Sequence, residues 1–233
     1  VSRYSLILDT DGNADGVLLG ASLETIPAAS RCSRYNISRG QSIIVLRSNT
    51  ENGVTDLIAS TMQWGFTPHW IHAANPALQP LTVAAEKVSQ PYFRDAFRQR
   101  RCLIPASGFY AWQGWENGPA APYYVEMRDR QPFFMAAIWD SCEGVDRAAM
   151  ITTPANALVQ PIHDRMPAII AREQIDAWLR SDRPQRLLLP YNAKEMAIHQ
   201  VSRKIFCATN EGADLIAPIA VVEPSYRATY AYR

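Results

Sequence analysis

The chain has 233 residues, 48% of them hydrophobic and 19% charged, enough to bury a core as one large domain or two small ones. Its formal net charge of +1 excludes a uniformly basic nucleic-acid binder but leaves room for a local basic groove. Four scattered cysteines (Cys32, Cys102, Cys142, Cys207) form no C-x-x-C pair, a pattern of reduced thiols and not of a disulfide framework or zinc site. There is no basic-then-apolar leader at the start and no apolar run of the ~20 residues that span a bilayer, so a cytoplasmic protein that avoids membranes is expected.

In chain order, Ser42 to Arg47 and Leu57 to Trp64 read as strands separated by the turn signal Asn49 to Gly53. His69 to Pro80 has little periodicity and reads as an exposed loop. Tyr92 to Arg101 reads as a helix with Phe93, Ala96 and Phe97 on one side and Arg94, Arg98, Arg100 and Arg101 around the rest. Three further strands follow, Tyr123 to Met127, Phe133 to Trp139 and Ala148 to Thr152, set off by Glu116-Asn117-Gly118-Pro119 and by Glu143-Gly144. Ala171 to Arg180 reads as a second helix burying Ile175, Trp178 and Leu179. Strands succeed one another without regular intervening helices, and sixteen prolines punctuate the connections. The expectation is an α+β fold: a mainly antiparallel, partly barrel-like sheet with peripheral helices, not a doubly wound parallel sheet. We read residues 1–233 as one domain, with 222–233 as a tail.

Chemistry concentrates at His163, where Asp164 favours the charged imidazole and Arg165 disfavours it. A surface histidine in a polar turn is the bland reading. Upstream, Ala149 to Thr153 reads as a buried strand ending in two hydroxyls, then a short helix leading to His163. His69 and His72 lack a nearby third ligand, and no Gly-x-Ser-x-Gly elbow marks a serine hydrolase. Neither a metal nor an organic cofactor is called for.

Together, several stretches resemble the SRAP family (SOS response-associated peptidase), whose members attach covalently to abasic sites in single-stranded DNA. They are Val1-Ser2-Arg3-Tyr4, Ser33 to Gln41, Gln63-Trp64-Gly65-Phe66-Thr67-Pro68-His69-Trp70, Thr82 to Val88, Arg100 to Trp112, Ala149 to Asn156, Ile162 to Pro167, and Val201 to Arg203 with Asn210 to Ile216, which match the family's closing strand and loop. The resemblance implies that Thr152 and His163 stand beside the abasic sugar. It also places Val1 where the family has an N-terminal cysteine and Ala111 where it has a proton-transferring glutamate. Valine brings no thiol, so the thiazolidine ring cannot close. A free α-amine, with a usual pKa of about 7.7–8.0, still permits an imine. Slipping the register by one would put Ser2 at the cysteine place, with its amine locked in a peptide bond.

In Thr82 to Val88 the family's glutamate is kept as Glu86, whereas Thr82 replaces an asparagine that holds the first residue and Ala84 an arginine that contacts phosphate; Asn75 could fill the same space as Thr82. Phe109, Tyr110 and Trp112 read first as core aromatics. Candidate phosphate contacts are Arg3, Arg39, Arg94, Arg98, Arg165 and Arg203, with Trp70 and His69 for base stacking; for Arg94 and Arg98 a solvated helix face is the simpler reading. Three functions follow from these features. One is a divergent binder of single-stranded DNA at abasic or junction-like lesions that forms at most a reversible imine. The second is a non-catalytic interaction module, and the third an active self-processing peptidase and crosslinking enzyme.

Overall fold

The structure is a computed structural model, described here for residues 1–8, 19–21, 26–27, 30–51, 54–71, 79–115 and 118–219. The expected tail at 222–233, and Asn75 and His72 within the loop, lie outside the described residues.

Strands β1 (Tyr4–Leu6), β2 (Arg34–Ile37), β7 (Gly108–Trp115), β8 (Gly118–Met127) and β13 (Met196–Gln200) form a five-stranded sheet in the order β13-β8-β7-β1-β2. The other strands are β3 (Ser42–Glu51), β4 (Val54–Trp64), β5 (Thr82–Ala84), β6 (Arg101–Ala106), β9 (Phe133–Cys142), β10 (Val145–Pro154), β11 (Arg165–Pro167) and β12 (Ile169–Ile170). Among these, β10, β4, β3, β6 and β9 pair in sequence, and β9 pairs back onto β10, so the sheet closes into a barrel. Closure removes free strand edges. Only β10 makes parallel pairs among the described residues, with β4 and β5. The antiparallel, partly barrel-like expectation with peripheral helices therefore holds.

The five strands read from composition are all present and all longer, because hairpin pairing carries the ladder into polar residues that local composition does not mark as strand. The Glu143-Gly144 turn has positive φ at both residues, +53° and +75°, the type I′ geometry that matches the twist of the flanking strands. The helices are shorter than expected. Helix α1 is Arg94–Gln99, and α2 is Ile175–Arg180 preceded by a 3-10 turn at Arg172–Gln174. Val201 to Arg203, matched to a closing strand, instead gives a single bridge from Val201 to Pro218 and the start of a 3-10 turn.

The five-stranded sheet docks on the barrel through Tyr4, whose ring meets Trp64 edge-on at 5.3 Å; both are fully buried. Burying each such side chain is worth ~1.5–3 kcal/mol. The opposite face of that sheet carries a second cluster, Tyr110, Tyr124, Val201, Ile205 and Leu215, roofed by the C-terminal 3-10 turns. Gly108 is where β1, β7 and Tyr124 crowd together: a Cβ there would stand 2.2 Å from the Tyr124 ring. Within the described residues no helix is long and apolar enough to cross a membrane.

Candidate functional site

Strand β10 organises the site. Its last residues pair on one side with β5 (Thr152 opposite Ala84) and on the other with β11 (Thr152 opposite Pro167, Pro154 opposite Arg165). The expected short helix between Pro154 and His163 is absent. The chain makes successive hydrogen-bonded turns instead, with Gln160 N–H and His163 N–H donating to Asn156 and Val159 carbonyls. Prolines at 154 and 161 in a ten-residue excursion leave too little unbroken sequence for a helix. Buried Asn156 holds the turns: its Oδ1 accepts from Leu158 and Val159 N–H at 3.1 Å, and its Nδ2 donates to Tyr191 O at 2.8 Å. Ala155 N–H donates to Asp164 O at 2.9 Å, which closes the excursion and returns His163 to the end of β10. Sequence reasoning gave Asn156 no role, although an asparagine after Pro-Ala is a turn former.

The His163 Nδ1 accepts the Arg165 backbone N–H at 3.0 Å, which leaves the neutral ring's proton on Nε2. Asp164 Oδ1 stands 3.0 Å from the same Nδ1, poised to pair once the ring is protonated. Burial and then the Val1 ammonium push the His163 pKa down, against Asp164, which pulls it up. The Val1 amine is also pushed below its usual value, by burial, again with Asp164 opposing. The amine, imidazole and exposed carboxylate therefore share one electrostatic neighbourhood. Val1 is half-buried against the main core, to which Ala111 also belongs.

Strand β7 joins this neighbourhood from the other side. Tyr110 N–H donates to Arg3 O at 3.1 Å, and Gln113 Nε2 donates to Pro161 O at 3.3 Å, tying β7 both to the N-terminus and to the turns before His163. Trp112, read as core, is only half-buried; its indole N–H donates to Ser2 Oγ at 3.3 Å and its ring stacks on Phe206 at 5.1 Å. Alternation explains this: Phe109 and Ala111 face the core, whereas Tyr110 and Trp112 face the second cluster. Phe206 and Gln113 are site neighbours that sequence reasoning missed, and neither carries a local signal.

Thr152 is buried, with its Oγ1 3.5 Å from Val83 O. Arg165 Nη2 donates to Thr152 O at 2.6 Å, and the guanidinium grips Glu86 with two bonds of 3.0 Å. That grip pulls the Glu86 carboxyl below its usual range. Thr82 lies further back along β5, opposite Met150, so Ala84 is the β5 residue level with Thr152.

Several other candidates already have protein partners. Arg3 donates to Asn36 Oδ1 at 2.6 Å and Phe206 O at 3.1 Å. Arg39 donates to Gln79 O at 2.7 Å, and Arg203 lies over the Phe206 ring. His69 is fixed by buried Asp140, which accepts from both its backbone N–H and Nδ1 at 3.0 Å and also pairs with Arg100. Beside it Trp70 is 48% exposed, its ring edge-on to Tyr92 at 6.0 Å, an available platform. Arg94 and Arg98 line a cavity that shares none of its lining with Val1, Thr152, His163 or Arg165. No cluster of three or more potential metal ligands occurs among the described residues.

An amine of lowered basicity in the electrostatic neighbourhood of an imidazole can, in chemical terms, condense with a carbonyl. The SOS response associated peptidase (SRAP) family profile matches residues 2–207, and the chain belongs to that family. Among curated relatives, the abasic site processing protein YoaM of Bacillus subtilis is 29% identical over 193 residues, covering 78% of this chain and 83% of the relative. YedK of Escherichia coli, also named an abasic site processing protein, is 28% identical over 201 residues, covering 80% and 85%. A crystal structure of a Bacteroides thetaiotaomicron protein superposes with a TM-score of 0.82 at 19% identity, over 94% of this chain and all of that one.

Proposed function

We propose that this protein recognises abasic sites in single-stranded DNA and that its covalent chemistry is limited to a reversible imine at the Val1 amine. The observation that carries the reading is the Val1 amine, lowered in pKa, sharing its surroundings with His163 and Asp164. In this reading the unprotonated amine attacks the ring-opened aldehyde, and water leaves to give the imine. His163 Nε2–H donates to a sugar oxygen, and buried Thr152 limits how deep the sugar can sit. Ala111 supplies no proton-transfer group and Val1 no thiol, so nothing converts the imine to a ring. Trp70 stacks on a neighbouring base, worth ~1–3 kcal/mol.

Incubation with an abasic oligonucleotide tests this, after intact mass has established that Val1 carries a free amine. Borohydride should trap an adduct at Val1, and none should persist without reductant. An adduct stable without reductant would overturn the imine limit; no adduct under either condition would remove the covalent reading altogether.

A second reading, a non-catalytic interaction module, draws on a specific observation: Arg3, Arg39 and Arg165 already spend hydrogen bonds on protein partners. Salt-insensitive or absent binding to single-stranded oligonucleotide would favour it over the first.

A further inference from the structure

Arg101 is buried, and its five N–H donors all go to backbone carbonyls: Trp178 at 2.6 Å, Phe97 at 2.9 Å, Arg98 at 2.8 Å, Leu179 at 3.1 Å and Ser181 at 2.9 Å. This guanidinium clamps the C-terminal ends of α1 and α2 together, yet none of its hydrogen bonds reaches a carboxylate. Between the two helices lies a cavity of about 510 Å³, lined by Arg94, Arg98, Arg101 and Arg180 with Ser89 and a single carboxylate, Asp182. Arg94 and Arg180 touch acids on their own helices, Asp95 at 3.3 Å and Asp176 at 2.8 Å, both solvent-exposed pairs of small worth. The Arg98 side chain is exposed and makes no ion pair among the described residues. A concave site walled by guanidinium forks, with a hydroxyl at its rim, has the chemistry of a phosphate site.

Its location supplies the direction. Ser89, on the cavity rim, is three residues from Glu86, whose carboxylate holds Arg165 against Thr152. Three residues span at most ~11 Å, and the intervening surface carries exposed Lys87. We propose that this cavity binds a backbone phosphate of the DNA strand a few nucleotides from the reacting sugar, a second anchor that sets how the strand leaves the site. The proposal rests on the reading of the Val1 site given above.

The test uses the full chain with two fluorescent single-stranded abasic oligonucleotides, a 12-mer and a trimer too short to reach the cavity. Arg98→Ala and Arg180→Ala should each weaken 12-mer binding about fivefold at low salt and reduce the log–log salt slope by about 0.7, one phosphate contact on a single strand. Ser89→Glu, which places a carboxylate at the rim without removing an arginine, should weaken it likewise. Borohydride trapping of the trimer should stay at the wild-type rate in all three. Unchanged 12-mer affinity and slope in every variant would overturn the proposal, as would equal losses with the trimer, which would place the effect at the reacting site or the fold. Protection of the wild type against melting by millimolar inorganic phosphate, with 12-mer binding unaffected by the variants, would make this a free-anion site and also overturn it. If the wild type traps neither oligonucleotide, the Val1 reading fails, and this one with it.

Discussion

Gly108→Ala isolates the close approach of the Tyr124 ring on β8 to the backbone of β7. An added Cβ would lie 2.2 Å from Tyr124 Cζ, 2.3 Å from its hydroxyl and 2.6 Å from Cε2. Those atoms belong to a rigid ring wedged against Tyr110 at 5.2 Å and His199 at 5.7 Å, so the ring cannot swing aside. Overpacking of this kind costs about 1–3 kcal/mol. Displacing the ring also breaks the 2.7 Å bond between Tyr124 and buried Ser5, worth about 1 kcal/mol. The sum is ~2–4 kcal/mol, and at ~2–4 °C per kcal/mol for a chain of this size Tm should fall by about 5–15 °C. Differential scanning calorimetry measures the fall, and Tyr124→Ala, which clears the space, should make Gly108→Ala nearly free in that background. A Gly108→Ala protein that melts with the wild type would show that the Tyr124 ring does not pack this closely over Gly108.

Asp164→Asn removes the carboxylate that opposes the lowering of both Val1 and His163. Both are cationic acids, so both pKa values should drop further and the pH profile of borohydride trapping, measured from pH 5 to 9, should move to lower pH; a shift upward would contradict the assigned neighbourhood. Glu86→Gln frees the Arg165 fork at little cost in stability, because the pair is exposed. Single-stranded DNA should then bind more tightly with a salt slope steeper by about 0.7, and weaker binding would show that Glu86 aims Arg165 instead of occupying it. Asp140→Asn leaves Arg100 unpaired and loosens the turn beneath Trp70, costing about 3 kcal/mol. Quenching of a 2-aminopurine base next to the abasic position should fall, and full quenching would mean the turn needs no such anchor.

The strands of the barrel were legible because pairing and burial act through nearest neighbours. Phe133 to Trp139 and Ala148 to Thr152 are runs of apolar and β-branched residues, and Glu143-Gly144 is a turn by composition alone. Helices were over-read at Tyr92 and Ala171, since amphipathic spacing continues into flanking residues that turn on themselves instead. Short strands such as β5 and β12 were invisible, being held only by partners distant in sequence. The site divides along the same line. His163 with Asp164 is a local pattern, whereas its link to Val1 joins residues 162 positions apart and was suggested only by family resemblance.

Arg165 shows why a residue list is not yet a site. From sequence it is a cation beside a histidine, equally suited to a phosphate, a carboxylate or solvent. In the fold it bonds Glu86 and the Thr152 carbonyl, while its own backbone N–H fixes the His163 tautomer. A phosphate that took the Nη1–Nη2 edge of Arg165 would have to replace Glu86, an exposed partner; the Thr152 bond could persist. Glu86 thus occupies the guanidinium at the end of β10. Because that pair is exposed, losing it costs little, ~0–1 kcal/mol, which is why Glu86→Gln separates binding from stability.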